Sequence, residues 1–189
     1  DNLKMGDGKI CTMSGKVNNK SAGGKEIEKL NVLKNRYQFP DADDIDYRFS
    51  FMKFLKDGDD RKRFSDSVAV QVNVYVVGVM EGGVESCNCN SRNKVFQDTK
   101  LILALNSENS EKEKRVIAEI TPRVRNIMRE KGVDWSTETL KKKLTGKYVT
   151  IQGWLLFDSE EIIYSHNSDP EDVDGYPNTR ATAWEIHPV

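Results

Sequence analysis

Three groups of residues have the types and spacing to do chemistry. The first is Cys87-Asn-Cys89. On a strand, positions i and i+2 share a face, so both sulfurs would point together. A zinc site needs two further ligands, and the chain's 2 histidines, His166 and His187, are the imidazoles available. Zinc motifs also space paired cysteines more widely than one residue. The alternatives are two free thiols, or a disulfide from one of them to Cys11 in an oxidising compartment.

The second group is Glu185 and His187, again i and i+2 on the final strand. Glu119 and Arg123 join them at one end of the sheet if their strands are neighbours. A carboxylate beside a histidine raises its pKa and makes an acid–base pair. The plainer expectation, which the pattern favours, is a buried ion-pair network that fixes the chain end. The third group is Asp169-Pro-Glu-Asp-Val-Asp-Gly175. With Gly175 at position six of a calcium loop, positions one and twelve are Pro170 and Ala181, so the EF-hand pattern fails. What is left is a looser calcium site from Asp169, Glu171, Asp172 and Asp174, or a solvated acidic loop. The Gly-Lys pairs at 8–9, 15–16 and 24–25 lack phosphate-loop spacing. No Ser or Cys sits in a nucleophile elbow.

These residues must be held by strands. Val68, Val70, Val72, Val74 and Val76 alternate with other residues in the clearest strand pattern of the chain. Gly78 marks a bulge or bend. Val84 to Cys89 is expected as a short strand extension. Further strands are expected over Thr99–Asn106, Arg115–Thr121, Lys147–Asp158 and Thr179–Val189. Between the third and fourth, Val124, Ile127 and Met128 define a helix with Arg123, Arg125 and Arg129 outward. Ser136 caps a second, closed by Gly146. The order β-β-β-α-β-β predicts a mainly β fold with some α, a five-stranded OB-like barrel. Upstream, Ile27, Leu30, Leu33 and Tyr37 predict an amphipathic helix, and Phe51, Phe54 and Leu55 a second over Tyr47–Leu55. The expected organisation is a flexible segment 1–25, a helical extension 26–66 packed on the barrel, and the barrel domain 67–189.

The balance of 29 basic and 30 acidic residues, net charge −1, lowers the weight of duplex nucleic acid as a partner. No apolar run reaches the length of a membrane span. Three cysteines are too few for a disulfide framework. The chain begins at Asp1 without Met, which suggests removal of a leader or of part of the natural chain.

Gly82-Gly-Val-Glu-Ser-Cys-Asn-Cys89, Glu119-Ile-Thr-Pro-Arg123, Gly153-Trp-Leu-Leu-Phe-Asp158 and Asn178-Thr-Arg-Ala-Thr-Ala-Trp-Glu-Ile-His-Pro-Val189 resemble a widespread family of bacterial proteins with no established activity. The similarity covers most of 30–189, and the terminal motif is its most specific part. Family members are often exported, so the resemblance implies a periplasmic or secreted protein, with the cytoplasm left open. It supplies no catalytic residue.

The function expected is a non-enzymatic binding module acting through the barrel face and the long loop 159–178. Tyr75, Gln152 and Trp154 offer a stacking face, and Arg123 a cation. His166 and Arg180 belong to a small-ligand pocket beside the loop. A hydrolase, metal-dependent or built on Glu119, Glu185 and His187, is one alternative. Single-stranded nucleic-acid binding is the other. No cofactor is expected beyond the zinc or calcium ion weighed above. The ligand is unassigned, and the state is a monomer or small homo-oligomer.

Overall fold

Valine at every second position builds the longest strand of the chain. The computed structural model describes residues 2–20, 23–172 and 175–189. Among them run strands β1 (Leu3–Lys4), β2 (Ile10–Cys11), β3 (Ile45–Asp46), β4 (Ala69–Glu81), β5 (Thr99–Ala104), β6 (Val116–Ile120), β7 (Tyr148–Phe157) and β8 (Trp184–Ile186). The helices are α1 (Lys25–Lys34), α2 (Pro122–Glu130) and α3 (Thr137–Leu144). The main sheet runs β3-β4-β5-β6-β8-β7, and β7 pairs back onto β4, so that β4 to β8 close on themselves and β3 is an edge strand on β4. Neighbours are antiparallel except β3 with β4 and β6 with β8, which meet in parallel, the latter at Ala118 and Ile186. This is a closed five-stranded mixed barrel, mainly β with a few helices and consistent with an OB-like barrel. α2 and α3 lie between its third and fourth strands, as the element order predicts.

β4 serves two partners because it bends. Ala69–Tyr75 pairs with β7, and Tyr75–Glu81 with β5. The register slips between Val76 and Gly78, a bulge that turns the strand round the barrel. Val70, Val72, Val74 and Val76 point inward against Leu101, Leu103, Ala118, Ile151, Leu155 and Ile186. Gly153 is required where the C-terminal segment crosses β7. A Cβ there would run into the Pro188 carbonyl oxygen, 2.7 Å from Ile186 Cγ2 and 3.0 Å from Val189 Cα.

The N-terminal extension plugs one mouth of the barrel with aromatic rings. Phe49 and Phe54 meet edge-on at 5.0 Å, Phe54 and Phe64 at 5.5 Å, and Phe64 and Trp184 at 5.3 Å. The helix expected over Tyr47–Leu55 is instead one 3-10 turn, Phe51–Lys53, in an irregular path. Phe49 and Phe51 are both buried, and a helix would turn residues two apart to nearly opposite sides.

Three further differences bear on the site. Val84–Cys89 is not a strand: Ser86–Asn88 forms a 3-10 turn, ended by Cys89 in the left-handed conformation at φ 56°. The two sulfurs therefore diverge. Cys89 bonds Cys11 across 78 residues of chain, and Cys87 is a buried free thiol. The segment expected to be solvated contains the β1–β2 hairpin, with Leu3 and Cys11 buried. The final run forms a ladder only at Trp184–Ile186. Before it, neighbouring loops and side chains satisfy the backbone: Ala181 N donates to the Arg115 carbonyl at 2.7 Å, Trp184 N to Thr182 Oγ1 at 3.0 Å and Arg180 Nε to the Thr182 carbonyl at 2.7 Å.

Candidate functional site

Strand alternation puts charge on the outside of one wall of the barrel. On β5, Leu101 and Leu103 face the core, so Lys100 faces away, with Asp98 two residues before it. On β6 the outward residue is Glu119, directly opposite Lys100 in the ladder. On β8 it is Glu185, with His187 following on the same side. In a bare barrel this wall would be wet. Here α1, the 85–89 turn and the segment 158–164 lie over it. Asp98, Glu119, Glu185 and His187 are at most 2% exposed.

The covering segments contribute their own charges. From α1, Lys34 Nζ lies 2.6 Å from Asp158 and 3.1 Å from Glu85. Lys100 Nζ lies 3.3 Å from Glu119 and 3.7 Å from Glu161. Arg180 pairs with Glu185 at 2.7 Å and Glu161 at 3.3 Å. His187 Nδ1 sits 3.2 Å from Glu185 Oε2 and 3.6 Å from Glu119 Oε2. The Cys87 thiol donates toward Glu85 at 3.4 Å and lies 3.9 Å from Asp98 Oδ2. Asn88 Nδ2 donates to the same Asp98 oxygen at 3.0 Å. Glu160 also reaches Lys34, at 3.4 Å, so seven carboxyl groups share one network with three cations, Lys34, Lys100 and Arg180.

Burial sorts these acids into two kinds. Asp98 is pushed up to about 7, by burial first and then by Glu85 and Glu119. Glu119 is pushed up to about 8: burial, Glu85 and Glu185 outweigh Lys100. Burial also acts on Glu185, but Arg180 and His187 outweigh it and hold the carboxyl well below its usual range. The Cys87 thiol is driven far up by burial, Asp98 and Glu85. Lys34 stays charged, since Glu85 and Asp158 overcome its desolvation.

Some polar atoms in this wall lack a partner. Asp98 Oδ1, Glu119 Oε2, His187 Nε2 and Asn88 Oδ1 are buried with no hydrogen bond. Asp98, Glu119 and His187 bring ligand-type atoms within 4.8 Å of one another, and so do Glu85, Cys87 and Asp98. Above the network opens a polar cavity of about 450 Å³, walled by Lys34, Glu85, Ser86, Lys100, Glu160 and Glu161.

The other residues singled out in the sequence lie elsewhere. Arg123 does not join His187 and does not face outward. It bonds Asn35 Oδ1 and the Cys11 and Thr12 carbonyls, tying α2 to the N-terminal hairpin and α1. Tyr75 and Gln152 lie on the β4–β7 ribbon, where Tyr75 meets exposed Tyr148 at 5.3 Å. Trp154 is capped by Arg36 and donates to the Gln38 carbonyl, so it is engaged within the chain. His166 lines a separate cavity of about 330 Å³ with Leu55, Leu105 and Asn109. Arg180 lies against the loop, bridged through its backbone to Ser165 and paired with Glu161 at 3.3 Å, and its side chain is buried in the network at 2% exposure. Asp169 is half-buried and Glu171 and Asp172 are exposed, and none of them joins a group able to hold an ion among the described residues. Asp174 lies outside the described residues.

Sequence reasoning missed Lys34, Glu85, Asp98, Lys100, Asp158 and Glu161. Lys100 had a signal, since a lone Lys inside Thr-Lys-Leu-Ile-Leu-Ala must point away from the core. Lys34 falls within the predicted helix, four residues after Leu30 and seven after Ile27, and so on its buried face; the remaining four carry no comparable signal. Among the described residues no helix is long and apolar enough to cross a membrane. No protein family, curated protein or solved structure matches the chain, so the similarity of its terminal motif rests on those residues alone.

Proposed function

We propose that the protein is an exported binding module that takes a small polar ligand with a cationic group in the cavity over the buried network. The cavity's continuity with that network carries the reading. Its wall holds three carboxylates, Glu85, Glu160 and Glu161, against Lys34 and Lys100. Each of these groups is paired within the network, Glu160 with Lys34 and Glu161 with Lys100 and Arg180, and the cavity wall carries three carboxylates against two ammonium groups. Glu160 and Glu161 begin the 159–178 loop, the part of the chain expected to act. Glu119, Glu185 and His187 are wholly covered, which argues against them as groups that touch a substrate. The Cys11–Cys89 disulfide supports an oxidising compartment.

A thermal-shift panel of amines, amino acids, carboxylates and sugars tests this reading. A ligand at a hundred times its Kd stabilises by about 2.7 kcal/mol. That is a rise of roughly 5–10 °C for a chain of this size. The rise should occur with cationic compounds and vanish in Glu160→Gln/Glu161→Gln. A panel with no response, or a response kept by that variant, sinks the idea.

The exposed Tyr75–Tyr148 pair favours a second reading, single-stranded nucleic acid stacked on the β4–β7 face with Lys141, Lys142 and Lys143 beside it. A labelled oligonucleotide should then bind with affinity that falls as salt rises and drops in Tyr148→Ala. Absence of binding at micromolar protein removes this reading.

A further inference from the structure

We propose that Asp98, Glu119 and His187 form a site for one divalent first-row transition-metal ion, lying on the outer wall of the barrel beneath the cavity. The inference does not depend on that cavity taking a ligand.

Three observations meet at these residues. The first is geometric. Ligand atoms of all three lie within 4.8 Å of one another, although the residues come from the start of β5, from β6 and from just beyond β8. An ion with ligands at about 2.0–2.2 Å places its donors roughly 3.3–3.6 Å apart in tetrahedral geometry. His187 offers Nε2 to such an ion, since Nδ1 faces Glu185 Oε2 at 3.2 Å. The second is the orphaned atoms. Each of the three residues carries a buried polar atom without a hydrogen bond: Asp98 Oδ1, Glu119 Oε2 and His187 Nε2. Leaving one such atom unmet costs about 1–3 kcal/mol. Three such atoms, on residues that stand this close together, fit a shared partner that accepts lone pairs. The third is charge. The network holds seven carboxyl groups against three cations, and every cation is spoken for. A divalent ion offsets half of that excess.

The surroundings choose the class of ion. Glu185, ion-paired to Arg180, takes the Nδ1 side of the imidazole at 3.2 Å. That carboxylate–histidine arrangement orients a ligating ring and leaves Nε2 with its lone pair. An imidazole and a neighbouring thiol, Cys87 at 3.9 Å from Asp98 Oδ2, suit zinc or its neighbours. Calcium asks for six to eight oxygens, and Asp98 and Glu119 together carry four. Glu85 and Lys100 line both the cavity and the network, and mark the way in for the ion.

The test uses the full chain with its disulfide intact, stripped with a chelator and dialysed separately against Zn²⁺, Mn²⁺ and Ca²⁺. The expected result is one equivalent of Zn²⁺ or Mn²⁺ and no stoichiometric Ca²⁺. Asp98→Asn and His187→Gln should weaken uptake at least about tenfold. Asp169→Asn/Asp172→Asn should leave it unchanged. Failure of the wild type to take up either metal overturns the proposal, as does uptake indifferent to Asp98→Asn or lost in the loop variant. If the wall variants do not fold, X-ray absorption of the zinc-loaded wild type decides. A shell of one imidazole nitrogen plus oxygens supports the site, and a shell without imidazole overturns it.

Discussion

Replacing Arg180 by Met asks how much the buried network does for the end of the chain. Arg180 is 2% exposed and sits between Glu185 at 2.7 Å and Glu161 at 3.3 Å. Glu161 reaches solvent and can be rehydrated; Glu185, 1% exposed, cannot. Met fills much of the arginine's volume, so the loss is mainly electrostatic. Removing one partner of a buried pair costs about 3–5 kcal/mol, because the other charge stays desolvated. For a chain of this length that corresponds to a fall in Tm of roughly 6–20 °C. Guanidinium unfolding at neutral pH under oxidising conditions measures it, with the slope unchanged if only stability has moved. Adding Glu185→Gln removes the stranded charge, so the double variant should recover about 1–3 kcal/mol relative to the sum of the singles. A single variant within about 1 kcal/mol of wild type, or strictly additive singles, would refute the view that this pair locks the chain end.

The Cys11–Cys89 bond closes a loop of 78 residues, and the chain-entropy relation assigns such a loop about 4.5 kcal/mol. Cys11→Ser/Cys89→Ser should lower the unfolding midpoint accordingly, and a shift near zero would show that the hairpin holds without the bond. Gly153→Ala should cost about 1–3 kcal/mol by overpacking, since the new Cβ meets backbone at Pro188 and Val189 that has little room to retreat. Denaturant titration checks it, and a neutral result would mean that the terminal segment is free to lift.

Much of the barrel is legible in the sequence. The alternation of Val70 to Val76, the break at Gly78, the Ser136 cap and the helical insertion between the third and fourth strands all express local rules of period, turn and capping. The irregular parts were not legible. Phe49, Phe51, Phe54 and Phe64 reach one barrel mouth along a path with no period to read. The spacing of Cys87 and Cys89 suggested a shared face, and only the left-handed backbone at Cys89 shows that they part.

The candidate site divides in the same way. The sequence by itself put Glu185 and His187 on one face of the last strand and favoured a buried ion-pair network there, because strand alternation depends on covalent geometry. Only the tertiary structure decided that this face is the outer wall of the barrel, that α1 and the 85–89 and 158–164 segments bury it, that Lys34, Glu85 and Asp158 arrive from them, and that Asp98 stands beside His187. Burial is a property of what lies on top. An outward carboxylate in water and the same carboxylate beneath α1 are identical in sequence, and desolvation is what separates an ordinary surface charge from a group held at about 7 or 8.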